Sequence, residues 1–126
     1  MIEFSPNGKG PRGEKIISAF KKSLEDFIGG TLVIEDVETQ ETEKNIIFRM
    51  RFRGGGIKIF ELINNFYQEN EIKVKQSLKV EDFGIILDGD KKEFVAQIAL
   101  PKNISEEDKQ IARNVLEELK QKLLSA

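Results

Sequence analysis

The chain has 126 residues, 39% of them hydrophobic and 33% charged, with a formal net charge of −2. That balance describes one globular domain long enough to hold a core, not a disordered segment or a polycation. Cysteine and histidine are both absent, which excludes a disulfide framework, thiolate chemistry and a Ser-His triad and restricts any metal site to oxygen ligands.

In chain order, the first stretch is "MIEFSPNGKGPRGEK". It has no basic start followed by an apolar run, so it does not read as a signal peptide. No later run approaches the roughly 18 apolar residues of a membrane helix. The expectation is a cytoplasmic protein. Residues 1–12 read as a flexible basic arm with Lys9 and Arg12. Gly8, Gly10 and Gly13 match GxGxxG literally, but the preceding "MIEF" is too short and polar for the buried strand a dinucleotide site requires.

"PRGEKIISAFKKSLEDFIGG" is predicted helical. Ile16, Ile17, Phe20, Leu24, Phe27 and Ile28 share one face, and Gly29-Gly30 stops it. "TLVIEDVE" and "NIIFRMRFR" are predicted strands joined by "ETE". Centring the turn on Thr42 sets Ile34 opposite Met50 and Asp36 opposite Phe48, with Glu35 opposite Arg49 on the other face. This pairing collects the large apolar groups on one side.

"IKIFELINNFYQ" is a predicted second helix with Ile59, Phe60, Ile63, Phe66 and Tyr67 on one side. "EIKVKQSLKV" alternates and is predicted as a strand, with Lys73, Lys75 and Lys79 facing away from Ile72, Val74, Leu78 and Val80. "GIILDGDKKEFVAQIAL" reads as a hairpin around Asp-Gly. "SEEDKQIARNVLEELKQKLL" is a helix opened by a Ser105–Asp108 capping box.

The expected architecture is a single α+β domain over residues 1–126. Its order is α-β-β-α-β-β-β-α, with a mostly antiparallel five-stranded sheet and helices on one face. Strands Ile34, Met50, Phe52, Val74 and Ile98 should share a core with Phe20, Leu24, Phe60, Ile63, Val115 and Leu119. This element order resembles that of roadblock and longin domains, and the resemblance implies an adaptor. The local run of strand, "RGGGI", helix and basic strand resembles a region of Alba-type nucleic-acid-binding proteins.

Three of the five arginines stand at alternate positions, 49, 51 and 53, and run into three glycines. Residues 25–43 hold seven acids and no base, whereas residues 44–80 hold eight bases and three acids. One reading is an anion site. Arg49, Arg51, Arg53, Lys58, Lys73, Lys75 and Lys79 would track phosphates, and Gly54, Gly55 and Gly56 would bring backbone amides to an anion at a helix start. The other reading is a solvent face whose arginines pair with acids across the hairpin. Asp88, Asp90 and Glu93 do not have calcium-loop spacing, and no nucleophile has a base placed by spacing.

The sequence therefore points to a non-enzymatic binding domain without a cofactor. Its expected partner is RNA or DNA on a basic sheet face, or an acidic protein. The alternative is a protein–protein adaptor or assembly subunit, with a homodimer allowed.

Overall fold

The computed structural model describes residues 2–4 and 25–126. The basic arm, the GxGxxG run and the predicted helix before Glu25, with Phe20 and Leu24, lie outside the described residues. The strands are β1 (Ile2–Phe4), β2 (Val33–Ile34), β3 (Glu38–Glu41), β4 (Asn45–Arg53), β5 (Asp82–Asp88) and β6 (Glu93–Pro101). The helices are α1 (Glu25–Ile28), α2 (Ile57–Ser77) and α3 (Glu106–Leu124).

The strands form one antiparallel sheet in the order β1-β5-β6-β4, with β2 and β3 sharing the outer edge of β4. The sheet is thus five positions wide, and the domain is α+β as expected. The helices pack on one face. Phe48, Met50, Phe52, Ile85, Phe94 and Ile98 meet Phe60, Ile63, Phe66, Leu116 and Leu119 in a single buried cluster. Phe52 and Phe94 stack with ring centroids 5.2 Å apart, and burying such a ring contributes about 2 kcal/mol. None of the helices among the described residues is long and apolar enough to cross a membrane.

One segment differs from the sequence reading. Residues 71–77 are not a strand, because α2 continues through them to Ser77. The stripe Phe60, Ile63, Tyr67, Asn70, Val74 steps by three and four and is buried throughout, which is helical spacing. Asn70 interrupts the stripe chemically but not geometrically, since its amide donates to the Phe66 carbonyl at 2.8 Å. Ile72, which made the segment look alternating, is 68% exposed. Val74 joins the expected core, but from a helix. The fifth strand position is filled instead by β1 on the far edge, against β5. Where β1 stops, Tyr67 on α2 donates its hydroxyl to the Gly84 carbonyl at 2.9 Å.

The first hairpin is also re-registered. Ile34 faces Phe52, but Thr39 faces Phe48, so one extra residue lies between β2 and β3. A uniform register would aim a carboxylate at the apolar face. The insertion turns Val37 inward (8% exposed) and leaves Asp36 at the rim, where it accepts from Lys120 of α3 at 2.7 Å. Re-aiming side chains is what a bulge-like insertion does. The expected capping interaction is present: Ser105 Oγ accepts from the Asp108 amide at 3.1 Å.

Candidate functional site

Alternation along β4 sends Phe48, Met50 and Phe52 to the helices and Arg49, Arg51 and Arg53 to the opposite face. Among the described residues no helix covers that face. Reading across it, the register aligns Glu38, Arg49, Gln97 and Gly84, then Arg51, Val95 and Ile86. The sheet therefore carries a column of arginines on β4 and a column containing Asp82 and Asp88 on β5, with β6 between them.

The two columns are bridged. Arg49 donates from Nε to Gln97 Oε1 at 3.1 Å and through its guanidinium to Gln40 Oε1 at 2.6 Å. Gln97 passes the chain on, donating to Asp82 Oδ2 at 2.6 Å. Four strands are thus linked by one chain of side chains that runs between two neighbouring rows. The amide accepts from the cation and donates to the anion, the polarity such a relay needs. Arg51 reaches two strands away, to Asp88 Oδ2 at 3.1 Å, with Glu93 at 3.7 Å and Glu38 at 3.8 Å. Adjacent strands lie about 4.8 Å apart, so this contact crosses β6 above Val95, which is only 2% exposed.

Asp88 is further fixed by its own turn, accepting from the Asp90 and Lys91 amides at 3.1 and 3.2 Å. The Lys91 amide first, and then the Arg51 guanidinium and the Asp90 amide, hold its carboxyl below the usual value against the opposing effect of desolvation. Arg53 lies at the end of the column, is exposed, and forms no ion pair among the described residues.

The glycines serve the fold. Gly54, Gly55 and Gly56 donate their amides to the carbonyls of Phe27, Gly30 and Ile28 at 2.7, 3.0 and 2.8 Å. These carbonyls belong to the end of α1, where helices leave acceptors unsatisfied. The triplet closes that end rather than cradling an anion. All three glycines have positive φ, and a Cβ on Gly54 would sit 2.1 Å from the Thr31 carbonyl oxygen.

The predicted basic site is therefore not assembled on one face. Arg49, Arg51 and Arg53 do share the open face. Lys73 and Lys75 are corrected from the sheet to α2, on the helix layer, and Lys75 pairs with Glu71 at 2.9 Å. Lys79 lies in the loop after α2 beside a groove of about 470 Å³ with Pro101 and Asp108. Lys58 lines a different groove with Glu61, Glu69 and Lys122. The expected Glu35–Arg49 pairing is replaced by Glu38 opposite Arg49. The "RGGGI" likeness to Alba-type proteins loses its basic strand, because that segment is helix.

Sequence reasoning missed Gln40, Asp82, Gln97 and the role of Asp88. Asp82 and Gln97 sit at outward positions of the second hairpin, so the period-2 pattern carried the signal. Only the β4–β6 register brings them to the arginines. Among the described residues no group of acids could hold a metal ion. No protein-family model matches the chain, and no curated protein or solved structure is significantly similar to it.

Proposed function

We propose that the chain is a non-enzymatic assembly domain that docks another protein on its open sheet face. The observation that carries this reading is the bridging of the arginine column. Arg49 and Arg51 lie across the sheet in hydrogen-bonded rows with Gln97, Asp82 and Asp88. A phosphate backbone would have to compete with Asp88 and Glu93 for the Arg51 guanidinium and with Gln40 and Gln97 for that of Arg49, and affinity for a polyanion scales with the charges left to neutralise phosphates. The same rows make a surface of mixed charge with the partly exposed apolar side chains of Ile47 and Ile86 among them, the mixed composition of non-obligate protein interfaces.

The test is a photo-crosslinking residue placed at Ile86 on the open face and, as control, at Gln68 on the exposed side of α2, in the native host cell. A discrete protein adduct at 86 and none at 68 is expected. No adduct at 86 overturns the reading. A low-salt titration against single- and double-stranded RNA and DNA separates the alternative. Binding at about 50 μM protein and about 50 mM salt, lost when Arg49, Arg51 and Arg53 are all replaced by Gln, would install nucleic acid as the partner.

A further inference from the structure

We infer that the outer edge of β3 takes up an extended, basic segment of another protein as an added strand. The site is the edge of the sheet, not its open face.

β3 pairs with β4 on one side only. All four of its residues are exposed. The Thr42 amide donates to the Asn45 carbonyl at 2.9 Å. Antiparallel pairs alternate from there, so Gln40 and Glu38 turn their N–H and C=O groups toward β4, and Thr39 and Glu41 turn theirs outward. Among the described residues nothing bonds to these outward groups. Such a row is a template for another strand.

The charge along the edge names the occupant. Residues 35–43 hold five acids and no base. A second copy would bring the same acids against these, and like charges opposite one another destabilise strand pairing. A basic segment gains where a second copy is repelled. Beside the edge, at the Glu38 end, lies a cleft of about 560 Å³ with Glu35, Asp36, Glu38 and Glu93 against Arg51 and Lys91. Arg51 is already held by Asp88 and Glu93. Glu35 forms no ion pair among the described residues, and neither does Glu41. The backbone of β3 therefore supplies affinity and the cleft selects a side chain, the division found in strand addition generally. Side chains alternate between faces, with Glu38 opposite Arg49 on the open side and Glu41 opposite Ile46 on the helix side. The added strand thus carries basic residues three apart, one opposite Glu41 and one reaching past Glu38 into the cleft.

The probe is a synthetic peptide of repeating Thr-Val-Lys, titrated into the isotope-labelled chain and followed by amide NMR shifts. Binding with a Kd below about 1 mM is expected, with the shifts centred on the Thr39 and Glu41 amides. Thr39→Pro removes an outward donor, a change that edge strands accept. It should weaken binding at least about tenfold, with an unchanged circular dichroism spectrum. Glu41→Lys, at an exposed and unpaired position, is the second variant should the first fail to fold, with the same expected loss. Peptide binding is read independently of any adduct at position 86, so its failure leaves the open-face reading standing. No binding at about 5 mM peptide overturns the inference. So does equal binding of a Thr-Val-Glu repeat, of the Thr-Val-Lys peptide with N-methylated amides, or by both variants.

Discussion

The two faces of β4 are built from the same nine residues and held by different physics. Toward the helices, Met50 and Phe52 are fully buried, and what holds them is volume and contact area, which are non-directional. Away from the helices, Arg49 and Arg51 are held by donor–acceptor rows that work only with one arrangement of charge and amide. The inner face should therefore tolerate exchange of one apolar side chain for another at constant volume. The outer face should tolerate size change but not loss of a partner. Of the two sequence readings of this face, an anion site or paired arginines, the geometry has Arg51 paired with acids and Arg49 held by two glutamine side chains.

The largest expected effect is on the inner face. Phe52→Ala should lower unfolding free energy by about 3–5 kcal/mol, read from the urea midpoint. A loss under about 1 kcal/mol would mean that the core collapses around the gap, and the contrast between faces would fail. Gly54→Ala, at the end of the same strand, combines a positive φ of 81° with a backbone clash. It should cost about 2–3 kcal/mol, visible as a lower melting temperature.

On the outer face Arg51→Gln leaves Asp88 and Glu93 without their cation, and both side chains are mostly covered. The expected cost is about 1–2 kcal/mol, against less than about 0.5 kcal/mol for Arg53→Gln at the exposed end of the column. Equal effects at the two positions would show that the row adds nothing. The finest test is pH. The Asp88 carboxyl is held below its unfolded value, so its contribution is present above the ordinary carboxylate range. It is lost as pH falls through the lower, folded value. Asp88→Asn should therefore be less stable than the parent at neutral pH, with the gap closing as the pH drops below about 4.

Much of this fold was legible. Periodicity places Met50, Phe52, Ile98, Phe60, Ile63 and Leu119 in the core, and all are buried. The Asp-Gly hairpin and the Ser105 cap follow from local chemistry. Residues 71–77 were misread because Ile72 and Val74 alternate with Lys73 and Lys75, while the competing helical stripe ran through a polar Asn70. Local pattern lost there to tertiary burial. The three arginines are legible as a column on the polar face, and pairing is one of the two sequence readings, but the partners Gln97, Asp88 and Glu93 are not legible. Asp88 and Glu93 lie 37 and 42 residues from Arg51, and only a third strand inserted between partners brings Asp88 within its reach. The glycines suggested an anion because a helix follows them. Their amides instead answer a helix that precedes them by two dozen residues.

That last feature has a kinetic consequence. The amides of Gly54, Gly55 and Gly56 are protected from solvent only while the 27–30 segment stays docked. Their hydrogen-exchange rates therefore report detachment of the end of α1 rather than fraying of β4. If α1 releases as a unit, the three glycines should exchange together, at one opening free energy lower than that of Met50 or Phe52 in the strand just before them. A short run of backbone thus holds neighbouring amides that belong to two different cooperative units.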